Sequence, residues 1–213
     1  MEEIDGKLKK AFECFDSKKF HEAEKLYKEC LQSAHITLNE MTAALHGLGF
    51  VYAEQKKFEQ AREIYQELRE NAQTKGNFHD EHIAIHQLGM VERMAENIEA
   101  AQALFEEEYL LLQNTMPDFQ LGFAANLYEK GILALKSNQL IDAEKIMLQS
   151  LKYAEQSGDL VCLGCSLRGL GEIFTAKREK EHAKQYYSKA VKVFEKVGDT
   201  FAIHEVKKLM RKI

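Results

Sequence analysis

The 213-residue sequence predicts an all-α repeat solenoid of about five helix pairs and a closing helix. Three observations carry that expectation: one proline with only 12 glycines, apolar residues recurring at three- and four-residue steps, and a period near 40 residues. Proline costs about 3 kcal/mol in a helix interior and glycine about 1 kcal/mol, so their scarcity leaves long segments free to be helical. Residues 19–35, KFHEAEKLYKECLQSAH, show the spacing in Phe20, Ala23, Leu26, Tyr27, Cys30 and Leu31, with Glu and Lys between. The same pattern in 57–68, 140–151 and 180–191, with no alternating β-branched run, predicts helices over 2–15, 20–34, 39–54, 58–74, 79–94, 98–113, 119–136, 140–156, 160–176, 180–196 and 200–212.

The breaks between helices carry turn chemistry. Gly76-Asn77, Gly158-Asp159 and Gly198-Asp199 each place a glycine where a helix ends left-handed and a capping side chain where the next begins. Thr37 and Glu40 have capping-box spacing, and Pro117-Asp118 separates two further helices. No stretch reads as an interdomain linker, so one domain over 1–213 is expected, with repeats near 1–37, 38–77, 78–117, 118–158 and 159–198 and a closing helix at 199–213.

Composition excludes several classes. With 45% hydrophobic residues the chain is too apolar for disorder, and no run of roughly 20 uncharged residues is present for a membrane span. The charged start, MEEIDGKLKK, predicts no secretory signal. Four cysteines at 14, 30, 162 and 165 are too few for a disulfide framework and point to a reducing, cytoplasmic setting.

The period appears when the helices are aligned on their small residues. Ala23, Ala61, Ala101, Ala143 and Ala183 are followed four residues later by Tyr27, Tyr65, Phe105, Met147 and Tyr187. Twelve residues before the last four alanines stand Gly49, Gly89, Gly131 and Gly171, expected to let paired backbones approach. The surrounding text, Leu45-x2-Leu48-Gly49-x2-Tyr52 and Leu167-x2-Leu170-Gly171-x2-Phe174, resembles the tetratricopeptide repeat, whose pattern is W-x2-L-G-x2-Y, then A-x3-F, then P. Leu or Ile stands for Trp, the final Pro is missing, and the longer period is similar to the repeats of kinesin light chains and bacterial peptide-pheromone receptors. Repeat one fits poorly, with Ala11 and Cys14 at the Gly and Tyr positions, and repeat four has Lys130 and Ala134 where Leu and Tyr would be expected. The resemblance implies a right-handed superhelix whose first helices line a concave groove.

On that groove the helical period places His46, Phe50, His86, Met90, Arg93, Tyr128, Ile132, Lys136, Arg168 and Glu172. An apolar and aromatic floor beside cations suits a protein or peptide segment with apolar anchors and acidic groups. The expected function is therefore a non-enzymatic binding scaffold. The alternatives are a peptide-responsive regulator, like the pheromone receptors but without their DNA-binding domain, and a self-associating assembly component. The closing helix should bury Phe201, Val206, Leu209, Met210 and Ile213 and turn His204, Lys207, Lys208, Arg211 and Lys212 outwards. Residues 176–213 hold 11 Lys or Arg against 5 Asp or Glu, yet no nucleic-acid signature accompanies them, and nucleic acid is not an expected partner.

Other chemistry is weaker in the text. His79, His82 and His86 lack the Glu of H-E-x-x-H, and Cys162-x-x-Cys165 has no second pair, so no metal or other cofactor is expected. Glu106, Glu107 and Glu108 read as the solvated face of an outer helix. No nucleophile, base and orienting group share a spacing.

Overall fold

Several helices begin and end where their own side chains or backbone satisfy the groups a helix leaves unpaired. A computed structural model describes residues 4–213, so the expected helix start at residue 2 lies outside the described residues. The described residues form α1 (Ile4–Asp16), α2 (Phe20–Leu31), α3 (Leu38–Glu54), α4 (Phe58–Lys75), α5 (Phe78–Met94), α6 (Ile98–Thr115), α7 (Gln120–Lys136), α8 (Leu140–Ser157), α9 (Leu160–Ala176), α10 (Lys180–Val197) and α11 (Thr200–Met210). No strand occurs among them.

The caps follow the expected residues. The Thr37 side chain accepts from the Glu40 N–H while Glu40 accepts from the Thr37 backbone, a complete capping box. Asn77, Asp159 and Asp199 each accept from the N–H three residues on. Gly76, Gly158 and Gly198 are left-handed, with φ of 63°, 74° and 71°. At Pro117-Asp118 the helix opens one residue late. Its N-cap is Phe119, whose side chain makes no capping bond.

Between the two helices of each pair the turn is unlike these. Lys18, Lys56, Glu96, Asn138 and Arg178 all have φ between 57° and 64°, each five residues before a repeat alanine. At Lys56 the turn is closed by Lys57 N–H to Tyr52 C=O (2.8 Å) and Lys56 N–H to Ala53 C=O (3.0 Å), the paired bonds of a Schellman ending. The same two bonds recur at 18–19, 96–97, 138–139 and 178–179. Five left-handed residues that are not glycine escape a reading that uses glycine as its mark.

The chain forms two compact units, one ending at Glu107 and one running Glu108–Ile213. In the first, α1 packs on α2, α2 on α3, α3 on α4 and α4 on α5, and α1 also meets α3. In the second, α7, α8, α9, α10 and α11 pack in succession, and α7 meets α9. The first helices α1 and α3, and α7 and α9, therefore lie side by side, as helix-hairpin stacking requires.

Each column glycine faces the large side chain sixteen residues on, and above Gly131 the Met147 backbone N also comes within 3.6 Å of a Cβ placed there. A Cβ placed on Gly49, Gly89 or Gly171 would stand 2.6, 2.6 and 2.5 Å from the rings of Tyr65, Phe105 and Tyr187. The repeat alanines, Ala11 included, are fully buried. Small residues are needed because a large side chain, aromatic at three of the four glycines, occupies the space above them.

Candidate functional site

Five of the ten groove residues fall in each unit. In the first, α3 carries His46 and Phe50, and α5 carries His86, Met90 and Arg93; all five are half-buried. The His46 ring lies 5.9 Å from Tyr65 and the His86 ring 5.6 Å from Phe105, so both histidines rest on the aromatic of their own repeat. Burial pushes the His46 pKa below its usual value, with Asp80 pulling weakly the other way. Phe50 packs edge-on to Tyr65 at 6.3 Å and lies 6.1 Å from Phe15. Beside His46 a pocket of about 40 Å³ opens between Leu38, Met41 and Leu45 of α3 and Leu68 and Ala72 of α4, with Asp80 at its rim.

In the second unit, α7 carries Tyr128, Ile132 and Lys136, and α9 carries Arg168 and Glu172. Tyr128 and Arg168 occupy one position in successive repeats, and the structure joins them. The Arg168 Nη2 donates to the Tyr128 Oη, and its guanidinium lies 5.9 Å from the ring centroid. Arg168 Nε stands 3.4 Å from Glu172 Oε1 one turn on. Arg168 and Glu172 keep 28% and 31% of their side-chain surface, enough to meet a ligand. Burial raises the Tyr128 hydroxyl pKa and the Glu172 carboxyl pKa, with Arg168 opposing both. The cluster thus offers a fixed guanidinium held by a neutral phenol and one carboxylate.

Ile132 is a correction. It is 8% exposed and belongs to the core cluster with Ala134, Met147 and Leu170, because α9 lies against α7 where the groove wall was expected. Lys136, at the end of α7, is exposed. Two further readings change. Glu108 is fully buried and accepts a 2.8 Å hydrogen bond from Asn126 Nδ2, whereas Glu106 and Glu107 are exposed. Phe201 is 63% exposed while Val206 of the same helix is fully buried, so the closing helix turns its first aromatic outwards.

Cys162 and Cys165 are free and half-buried. Burial, with smaller contributions from Cys165 and Asp159, pushes the Cys162 thiol up to about 12, outweighing any effect of the helix start. Among the described residues no group of three or more His, Cys, Asp or Glu side chains could hold a metal ion.

A set of bridges between repeats escaped the sequence reading. The residue after the repeat alanine reaches the turn region of the next pair: Glu24 to Lys57 at 2.9 Å, Arg62 to Glu92 at 2.6 and 2.9 Å, and Glu144 to Lys177 at 2.6 Å. Asn97 adds a 2.7 Å bond to Glu92. The charges swap sides from one bridge to another, so no single residue type marks the column.

Residues 40–113 match the tetratricopeptide repeat family. No curated protein sequence matches the chain. Among solved structures it is similar to BtubC (BKLC) from P. vanneervenii, at 17% identity over 88% of this chain and 78% of that one, with a TM-score of 0.65. It is likewise similar to TTC0263, a thermophilic TPR protein of Thermus thermophilus, at 14% identity over 99% and 100%, TM-score 0.66. A third is a Podosopora anserina putative kinesin light chain with nearly identical TPR-like repeats, at 14% identity over 92% and 99%, TM-score 0.62. At these identities the likeness is one of fold. With the Gly and Ala columns, the left-handed turns and the match at 40–113 together, residues 40–113 carry tetratricopeptide repeats, and the described residues share the all-α helical-repeat fold of these structures.

Proposed function

We propose that the chain is a non-enzymatic protein-interaction scaffold that takes a protein or peptide segment on the faces of its first helices. The observation that supports this best is the Tyr128, Arg168 and Glu172 cluster. A guanidinium with about a quarter of its side chain in solvent is oriented by a phenol that is not itself charged. Such a group presents a carboxylate of a ligand with a preset partner, and little side-chain freedom is lost on binding. In the first unit, Phe50 and Met90 offer a separate, half-buried apolar surface. The fold supports the reading, since helical-repeat arrays bind through exposed helix faces. Free cysteines and the lack, among the described residues, of a helix long and apolar enough to cross a membrane favour a cytoplasmic setting.

The test is capture of partners from a native lysate by the wild type, by Arg168→Gln and by Tyr128→Phe. Arg168→Gln should lose the captured species, and Tyr128→Phe, which releases the guanidinium from its hydroxyl, should weaken capture several-fold. Both variants should melt cooperatively. Undiminished capture by Arg168→Gln would remove this face from the function.

A further inference from the structure

The outer helices carry a second surface that the groove does not use. Residues 1–107 hold 13 Lys or Arg against 21 Asp or Glu, net −8, whereas residues 108–213 hold 16 against 13, net +3. Within these units, two helices carry exposed rows of opposite sign. On α4, Arg62 is taken up by Glu59 and Glu92, and Arg69 by Glu107. Glu63, Glu67 and Glu70 are left exposed along its outer side. On α10, Lys189, Lys192 and Lys196 are exposed, and Lys192 and Lys196 make no ion pair among the described residues. Lys184 beside them is paired with Glu181 at 3.1 Å. Glu195 is the one exposed carboxylate on the adjoining row of α10 between Lys189 and Lys196.

We propose that the α10 ridge of one copy of this chain docks on the α4 ridge of another. Spacing and charge both point to a second copy as the occupant. Glu63, Glu67 and Glu70 stand at i, i+4 and i+7, and Lys189, Lys192 and Lys196 at i, i+3 and i+7. With about 1.5 Å of rise per residue the carboxylates lie near 0, 6 and 10.5 Å along α4, and the ammonium groups near 0, 4.5 and 10.5 Å along α10. Laid antiparallel, the second series becomes about 0, 6 and 10.5 Å, and all three pairs fall in register. Exposed pairs of this kind are individually weak and fully screenable, so the association is reversible and sensitive to salt. The contact joins two different surfaces, so it is heterologous. This inference stands apart from the groove, whose residues it does not use.

Light scattering coupled to size exclusion tests it at about 20 mM and about 300 mM salt, where the Debye length falls from roughly 20 Å to under 10 Å. At low salt the mass should exceed that of the 24.5 kDa chain and rise with concentration; at high salt it should return to the monomer. Lys189→Glu with Lys192→Glu and Lys196→Glu, or Glu63→Lys with Glu67→Lys and Glu70→Lys, should each abolish association without lowering the melting temperature. Mixing the two reversed proteins should restore it. Arg168→Gln should associate like the wild type, which separates this contact from the groove. A wild type that stays monomeric at low salt overturns the proposal, as does a mixture of reversed variants that fails to associate. Retention of a monomeric wild type on anionic vesicles, RNA or polyglutamate would assign the α10 ridge to that partner instead and equally overturn it.

Discussion

Gly171 lies beneath the ring of Tyr187, sixteen residues further along the chain, so closely that a methyl group there would stand 2.5 Å from the ring carbons. Tyr187 is 1% exposed and cannot swing into solvent. The same relation holds between Gly49 and Tyr65 and between Gly89 and Phe105, and it ties the two helices of these three pairs together.

Gly171→Ala should therefore destabilise the protein by about 1–3 kcal/mol through overpacking. Urea denaturation measures it. In a Tyr187→Leu background the added methyl should cost clearly less, because the ring it meets has gone; an unchanged cost would place the strain elsewhere.

The left-handed turn residues offer the opposite result. Lys56 is exposed and holds φ of 59°, a conformation that costs a side chain roughly 1 kcal/mol and a glycine little. Lys56→Gly should stabilise by about 0.5–1 kcal/mol, read as a shift in urea midpoint. Asn138→Gly, at φ of 57°, should gain less, because asparagine tolerates that region.

Glu24 gives the bridges a pH signature. Burial alone would raise its pKa, but hydrogen bonds from Lys28 and Lys57 outweigh it and hold the carboxyl at about 2, against an ordinary 4.5. A lowered folded-state pKa contributes stability that is complete above 4.5 and is lost as pH falls from there towards 2. Glu24→Gln should cost up to about 1 kcal/mol at pH 7, since both lysines are partly solvated. The gap between wild type and variant should narrow from about pH 5 to about pH 3 in thermal melts. A gap independent of pH would mean that the ion pairs contribute nothing.

Ser150 is buried between three helices. Its Oγ donates to the Ala124 carbonyl at 2.8 Å and lies 2.8 Å from Ser166 Oγ, which in turn donates to the Cys162 carbonyl at 3.0 Å. Ser150→Ala should cost about 1–2 kcal/mol, because the Ala124 carbonyl is left without this donor in the buried core. Ser150→Ala with Ser166→Ala should cost less than the sum of the two single changes, which a double-mutant cycle measures.

Much of the architecture was legible because its signals are local. Each of the eleven helices stands where apolar spacing placed it, and the caps at Thr37, Asn77, Asp159 and Asp199 form as written, since a cap depends on about four consecutive residues. The candidate site was less legible. Tyr128 and Arg168 share a repeat position and could be nominated together, but their hydrogen bond depends on how far α7 and α9 approach. The same approach closes over Ile132. Glu108 reads like its neighbours Glu106 and Glu107, and only its position beside Asn126 sets it apart.

Short-range pattern was enough to make this chain a run of paired helices with a period near 40, because helix periodicity, capping and small-residue columns are properties of short stretches. Packing settled what the columns hold, which charges bridge the repeats and which groove residues stay open to a ligand. Those outcomes rest on distances between residues such as Gly171 and Tyr187 or Tyr128 and Arg168, far apart along the chain, and no local pattern encodes them.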